Sequence, residues 1–175
     1  MLVRMADGTA TAIDYRETAP AAATQDMYLD KDGNVGRDSL VGARAAGVPG
    51  TVAGMALAHK RFGHLPWAEL VTPAVALARD GHAPDAPHLA ELIEGVEDMR
   101  KAGFPDSARA YLGVDGKPLQ AGEMWRQPEL AATLDIIATQ GPRAFYEGPL
   151  AIALASGIQK LGGLWTVDDL RQYTA

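Results

Sequence analysis

The sequence contains no cysteine. This absence excludes disulfides, thiolate nucleophiles and zinc or iron–sulfur sites built on cysteine, although it leaves the cellular compartment open. Clusters of like charge are also missing, since 22 acidic and 16 basic side chains are spread along 175 residues with a net charge of −6. This distribution argues against a nucleic-acid groove or an anionic membrane surface as the main partner.

Long apolar segments are absent as well. No window holds about 18 uncharged apolar residues, so the sequence predicts no membrane insertion. The first residues, MLVRMADGTATAIDY, have neither a sustained apolar stretch nor a small-residue cleavage site, and they do not resemble a signal peptide. With 47% hydrophobic and 22% charged residues, the composition is instead typical of a soluble globular core.

Two short segments near the start, Met1 to Arg4 and Thr9 to Tyr15, are rich in β-branched residues and flank the turn Ala6-Asp7-Gly8. This pattern predicts a β-hairpin over residues 1–16. An isolated hairpin is only marginally stable in water. We therefore expect the rest of its sheet to lie in sequence outside this chain.

Residues 20–175 are mostly helical in pattern, because apolar residues recur at helical spacing between glycine and proline boundaries. Pro73 is expected to kink one of these helices or to mark a fresh start. Thr166 and Asp169 resemble a capping box at the start of the last helix. The predicted ranges are Ala21–Leu29, Gly47–Gly63, Leu65–Gly81, Ala86–Lys101, Pro128–Thr139, Leu150–Leu161 and a helix after Thr166.

The four histidines do not form a metal site on spacing alone. His59 and His64 lie on either side of a helix end, and His82 and His88 flank prolines in a predicted loop. Neither pair has an acidic third ligand at a zinc spacing. We interpret them as surface or capping histidines.

The acidic stretch after residue 29 begins like a calcium loop, with Asp30, Asp32 and Asn34 in place. The pattern then fails, because Val35 and Val41 stand where the loop needs glycine and glutamate. A solvated turn is the better interpretation. A second glycine-rich stretch, residues 47–51, opens a predicted helix without a phosphate-binding motif, and we interpret it as a turn that brings two backbone segments close together.

Four segments carry a family resemblance: DYRETAPAAATQDMYLD (Asp14–Asp30), GVPGTVAGMALAHKRFGHLPW (Gly47–Trp67), PAVALARDG (Pro73–Gly81), and GPRAFYEGPLA with GGLWTVDDL near the end. Taken in order over almost the whole chain, they resemble the large subunit of the γ-glutamyltranspeptidases. The resemblance implies an α+β fold that is part of the four-layer αββα sandwich of the N-terminal nucleophile hydrolases. Residues 1–175 would then be a partial large-subunit domain, with a hairpin at 1–16, a helical region at 20–175, and the N-terminal segment and the small subunit outside this chain.

The same resemblance implies a reaction. The family makes one precursor that cuts itself into a large and a small subunit, and the new N-terminal threonine of the small subunit is the nucleophile. It takes a γ-glutamyl group from glutathione or a related amide and passes it to water or to an amine. The resemblance implies the small catalytic subunit as partner, a periplasmic or secreted location, and no metal or organic cofactor. No catalytic residue is expected in this chain, which should be inactive alone.

One substrate-binding residue is implied by the resemblance, at the arginine of the family's Arg-Glu pair. That position is Arg16, whose planar guanidinium offers two parallel donors to the α-carboxylate of the glutamyl group. If Thr9 to Tyr15 is a strand, Arg16 stands at its end. Glu17 would point to the opposite side of an extended chain and either orient the surroundings of Arg16 or pair with a helix end. The structural alternative for Arg16 is an ion pair that joins the hairpin to a helix.

Two other functions stay open. One is an acylase of the same fold that hydrolyses glutaryl-cephalosporin side chains, in which an arginine would again meet a carboxylate. The other is a non-catalytic interaction fragment whose exposed sheet edge recruits a partner.

Overall fold

The computed structural model describes all 175 residues, which form a two-stranded hairpin followed by eight α-helices. The chain divides into two compact units, residues 1–67 with 140–175, and residues 68–139. The elements are β1 (Leu2–Arg4), β2 (Ala10–Ala12), α1 (Thr51–Phe62), α2 (Trp67–Asp80), α3 (Ala86–Lys101), α4 (Pro105–Arg109), α5 (Pro128–Gln140), α6 (Arg143–Tyr146), α7 (Gly148–Lys160) and α8 (Val167–Gln172).

The predicted hairpin is present, with Leu2 opposite Ala12 in the antiparallel pair of β1 and β2. The second strand is shorter than predicted, because it ends at Ala12 and not at Tyr15. Beyond this strand, the backbone N–H of Arg16 donates to the Asp14 side chain. That N–H is therefore not available for hydrogen bonding to another strand. Arg16 therefore lies in an extended segment beyond the sheet.

Residues 21–29, which the pattern predicted as a helix, form successive turns instead. The bonds here join residues three apart, as from the N–H of Leu29 to the carbonyl of Asp26 at 2.9 Å. The Thr24 hydroxyl donates to the Asp26 carboxylate at 2.9 Å. Short polar side chains of this kind compete with helical hydrogen bonding, and this local chemistry explains why the prediction was wrong.

The other predicted helices are present as α1, α2, α3, α5, α7 and α8, with ends that differ by a few residues from the predicted ones. The helix α2 runs through Pro73 without a break, so Pro73 marks no fresh start. Two helices were not predicted, α4 with five residues and α6 with four. Segments this short do not contain a full apolar repeat, and periodicity cannot reveal them.

The unit that contains both ends of the chain is built around α6, α7 and α8. Tyr146 and Leu170 are the largest side chains in it that are almost fully buried, at 2% and 0% exposure. Burial of apolar surface is the main stabilising contribution of such a cluster. Its buried members are Val48, Tyr146, Ala151, Ala155, Trp165, Leu170 and Tyr173.

The unit of residues 68–139 has two small apolar clusters along α3. One joins Leu92 to Leu119 and Trp125, and the other joins Val96 to Ala108 and Leu112. The Trp125 indole N–H donates to the carbonyl of Ala110 at 3.1 Å, which satisfies its one polar group. In neither unit does a helix combine the length and apolar character needed to cross a bilayer.

The predicted capping box at the start of α8 is confirmed, and it also holds a distant segment. The Asp169 carboxylate accepts hydrogen bonds from Thr166 and, at 2.7 Å, from the N–H of Ala21. Although burial opposes the shift, these bonds hold the pKa of Asp169 below its ordinary value of 3.8. A carboxylate with a lowered pKa stabilises the fold at neutral pH, and this contribution is lost as the pH falls through the folded-state pKa.

We expect Asp169→Asn to lower the free energy of unfolding by about 1 kcal/mol at pH 7, the usual worth of a helix cap. The difference in the free energy of unfolding between the variant and the parent protein should stay constant down to about pH 5. Below that pH the difference should narrow, because the Asp169 carboxyl of the parent protein gains its proton. Urea unfolding of the protein, followed over that pH range, measures both effects.

The control is Asp168→Asn, which changes the neighbouring carboxylate in the same helical turn. Asp168 contacts only Arg171 and its side chain is 71% exposed, so we expect little change in stability. An equal loss of unfolding free energy in the two variants would contradict the role given to Asp169.

Candidate functional site

A cleft of about 550 Å³ opens in the unit of residues 1–67 and 140–175, between the segment that follows β2 and the start of α1. It brings the DYRE motif and the glycine-rich GVPGT motif together, although about thirty residues separate them in the chain. The lining residues are Met1, Ile13, Asp14, Tyr15, Arg16, Glu17, Ala46, Gly47, Pro49, Gly50 and Thr51.

The backbone of Arg16 is held at both of its polar groups. Its N–H donates to the Asp14 carboxylate at 3.0 Å, and its carbonyl accepts from the Tyr173 hydroxyl at 2.8 Å. Two residues further on, Thr18 and Val48 form an antiparallel bridge with bonds of 3.3 and 2.8 Å. These contacts fix the base of the Arg16 side chain against the rest of the unit.

The Arg16 side chain itself extends into solvent at the cleft, with 83% of its surface exposed. Its Nε donates to Glu17 Oε1 at 3.2 Å, and its two Nη atoms make no hydrogen bond within the chain. The prediction that Glu17 points to the opposite side is therefore wrong, because the segment is not a regular strand and the two side chains turn toward each other. The structural alternative for Arg16, an ion pair with a helix, is also absent.

Glu17 remains ionised beside this guanidinium. A hydrogen bond from its own backbone and the bond from Arg16 Nε hold the pKa of Glu17 below its ordinary value of 4.5. Asp14 also lines the cleft. Arg16 is thus a positive charge in a cleft that the two carboxylates also line, and the Nη edge of its guanidinium makes no hydrogen bond.

Glycines in GVPGTVAG allow the two walls of the cleft to approach each other. A Cβ on Gly47 would lie 2.8 Å from Glu17 Cγ, and one on Gly54 would lie 2.2 Å from the Tyr15 ring. At Gly50 the neighbour is backbone, since a Cβ there would lie 2.2 Å from the Tyr15 carbonyl oxygen. The close approach of two backbone segments expected for residues 47–51 is therefore confirmed.

Two stacked tyrosines lie behind the Arg16 segment. The rings of Tyr146 and Tyr173 are 5.8 Å apart and 12° from parallel. The Tyr146 hydroxyl donates to the carbonyl of Pro49 and accepts from the N–H of Ala53, each at 3.0 Å. Burial raises the pKa of both phenols, so both hydroxyls stay protonated and able to donate. Sequence inspection missed both residues, because their partners are distant in the chain.

The other candidate residues lie outside the cleft. His59 contacts the carbonyl of Leu65 through Nε2 at 2.8 Å, and His82 and His88 pack against Trp125. The Asp30 carboxylate accepts from backbone groups of its own turn, as expected for a solvated loop. No group of three or more histidine, aspartate or glutamate side chains is arranged to hold a metal ion.

Comparison with known proteins relates this chain to one family. The model of a family described as Gamma-glutamyltranspeptidase matches residues 1–175. The glutathione hydrolase proenzyme of Pseudomonas aeruginosa is 46% identical over 169 residues, which cover 95% of this chain and 29% of that protein. The proenzyme of the same name from Escherichia coli K12 is 42% identical over 179 residues, which cover 100% of this chain and 30% of that protein.

A solved structure shows the same likeness in three dimensions. The Helicobacter pylori gamma-glutamyltranspeptidase is 38% identical, with a TM-score of 0.92 over 99% of this chain and 50% of that one. The chain spans about 30% of the length of the two curated relatives. It corresponds to part of each of these proteins.

Proposed function

This chain belongs to the γ-glutamyltranspeptidase family, and we propose that it is the part of the large subunit that binds the α-carboxylate of a γ-glutamyl substrate. The resemblance inferred from the motifs is thereby confirmed. In the complete enzyme, which we define as this chain with the rest of its precursor, the reaction would be transfer or hydrolysis of γ-glutamyl groups from glutathione and related amides. The observation that carries the proposal is the free outer edge of the Arg16 guanidinium in the cleft.

The geometry of Arg16 suits a carboxylate. An arginine binds a carboxylate with two parallel bonds, using either Nε with one Nη or both Nη atoms. Glu17 occupies Nε, so the pair of Nη atoms is the edge left for a substrate. The guanidinium keeps its charge at every working pH, and this makes the interaction independent of protonation on the enzyme side.

The charges around Arg16 favour a γ-glutamyl group over a glutaryl group. The α-carbon of a γ-glutamyl donor carries an ammonium beside its carboxylate, whereas a glutaryl group carries only the carboxylate. Asp14 and Glu17 line the same cleft as Arg16 and attract a positive charge. This arrangement supports transpeptidase chemistry over the acylase alternative.

The rest of the chemistry would come from the remainder of the precursor. By the family resemblance, the small subunit supplies an N-terminal threonine whose own amine activates its hydroxyl. The hydroxyl attacks the γ-carbonyl, the amine of the leaving group departs with a proton, and the acyl-enzyme is resolved by water or by an acceptor amine. This chain would bind the donor and hold it for this attack. We further propose a periplasmic or secreted location, which the resemblance implies.

We expect this chain alone to show no turnover of γ-glutamyl-p-nitroanilide, because it would bind the donor without supplying the nucleophile. The complete enzyme should release p-nitroaniline from the same substrate, and both measurements use absorbance at fixed protein concentration. Turnover by the isolated chain would contradict the division of roles proposed here.

A matched donor separates the transpeptidase from the acylase. Glutaryl-p-nitroanilide lacks only the α-ammonium of the γ-glutamyl donor and keeps its free carboxylate. We expect the complete enzyme to prefer the γ-glutamyl donor by at least about tenfold in kcat/KM, the value of one lost charged hydrogen bond. Equal or better use of the glutaryl donor would favour the acylase, and no turnover of either donor would favour the interaction fragment.

A further inference from the structure

Tyr173 makes a contact with the binding residue that the proposed function does not use. Its hydroxyl donates to the carbonyl oxygen of Arg16 at 2.8 Å across 157 positions of sequence. Tyr173 is only 6% exposed, so this bond is partly protected from water. A protected hydrogen bond is costly to break, because both groups would then be left without a partner.

Arg16 depends on this bond more than most exposed arginines would. Its side chain is 83% exposed and makes its one hydrogen bond to the neighbouring Glu17, so Arg16 is held to the rest of the unit by its backbone. Of the two backbone bonds of Arg16, the one to Asp14 is local and moves with the segment. The bond from Tyr173 is the one that ties Arg16 directly to a distant part of the unit.

Tyr173 is itself held in place. Its ring stacks on that of Tyr146, whose hydroxyl is bonded both to Pro49 and to Ala53 at the start of α1. Gly50 leaves room for the contact, since a Cβ at that position would lie 2.0 Å from the Tyr173 hydroxyl. The two tyrosines thus connect the Arg16 segment to the helix start that forms the facing wall of the cleft.

We propose that Tyr173 is a positioning residue for donor binding, which fixes the Arg16 guanidinium at the correct distance from the start of α1, with Tyr146 as its support. The inference rests on the proposed function of Arg16. Tyr173 does not touch the donor and acts only through Arg16. Since the α-carboxylate is bound equally in the ground state and in the transition state, a loosened Arg16 should weaken substrate binding and leave the chemical step unchanged.

The test compares Tyr173→Phe with Tyr28→Phe in the complete enzyme. The control is closely matched, because the Tyr28 hydroxyl also donates to an arginine carbonyl, that of Arg44, at 2.8 Å and outside the cleft. We expect Tyr173→Phe to raise the KM for γ-glutamyl-p-nitroanilide about threefold to tenfold with kcat nearly unchanged, the effect of one net hydrogen bond. Tyr28→Phe should leave both constants unchanged. A KM for Tyr173→Phe equal to that of Tyr28→Phe would overturn the proposal.

A double variant separates positioning from general loosening of the fold. In an Arg16→Ala background, Tyr173→Phe should raise KM no further, because the residue through which it acts is gone. The same increase in both backgrounds would overturn the proposal. If Tyr173→Phe does not fold, Tyr146→Phe replaces it, with a rise in KM of at least about twofold expected and an unchanged KM counting against the proposal. Absence of γ-glutamyl turnover in the parent enzyme would instead contradict the proposed function itself.

Discussion

Arg16→Lys is expected to raise the KM of the complete enzyme for a γ-glutamyl donor about tenfold to a hundredfold, while kcat changes little. Lysine keeps the positive charge but loses the two parallel donors, and a hydrogen bond to a charged group is worth about 1.5–3 kcal/mol. Arg16→Ala removes the charge as well, and kcat/KM should then fall by about a hundredfold to a thousandfold. Initial rates over a range of donor concentrations separate the two constants.

The matched control for this experiment is Arg79→Lys. Arg79 is 63% exposed and pairs with the next residue, Asp80, through Nε at 2.8 Å and also through Nη2 at 2.9 Å, so it is a second exposed arginine bonded to its neighbouring carboxylate, away from the cleft. We expect no change in KM for this variant. A donor whose α-carboxylate is converted to an amide provides a second check, because its KM should be insensitive to Arg16→Lys. Equal changes in KM for Arg16→Lys and Arg79→Lys would contradict the proposal that Arg16 binds the substrate carboxylate.

Gly54→Ala is expected to destabilise the complete protein by about 1–3 kcal/mol, although alanine is the better helix former. The helix preference favours alanine by about 1 kcal/mol, but the new methyl group would lie 2.2 Å from Cγ and 2.4 Å from Cβ of Tyr15. Cβ is bonded to the backbone and cannot move aside by a rotamer change. Relief requires a shift of the segment that carries Arg16, so KM for the donor should rise as well.

The control is Gly157→Ala in α7, where a Cβ would meet no atom within 4 Å. This substitution should stabilise the protein by up to about 1 kcal/mol, since only the helix preference acts. Urea unfolding gives the stabilities and the p-nitroanilide assay gives KM. A stabilised Gly54→Ala variant with unchanged KM would contradict this expectation, because it would show that Tyr15 can move away from the new methyl group at no cost.

Local sequence pattern was sufficient for most of the fold. The hairpin, six of the helices and the cap at Thr166 follow from periodicity, turn residues and capping chemistry, which act over a few neighbouring residues. The implied fold class, an α+β part of an N-terminal nucleophile hydrolase, is confirmed by the likeness to solved structures of the family. The pattern was wrong at residues 21–29, where the Thr24 and Asp26 side chains bond locally and compete with a helix.

The candidate site likewise contains features that local sequence pattern could reveal and others that it could not. Arg16 was proposed through a motif, and the close approach at the glycines was expected from the glycine-rich stretch at residues 47–51. Tyr146 and Tyr173 were missed because their importance comes from contacts 97 and 157 positions away, which no local pattern encodes. The orientation of Glu17 was wrong for a related reason, since the alternation of side chains holds only within a regular strand.

The contact between Tyr173 and Arg16 also bears on the order of events during synthesis. Arg16 leaves the ribosome long before Tyr173 is made, and a separation of 157 residues corresponds to roughly 8–30 s of translation at typical rates. Through that interval the Arg16 segment lacks the bond to its carbonyl, and Ala21 lacks the carboxylate of Asp169. The cleft is therefore completed late on the nascent chain, and conditions that slow translation between these residues would prolong the period in which the early segment is open to chaperones and proteases.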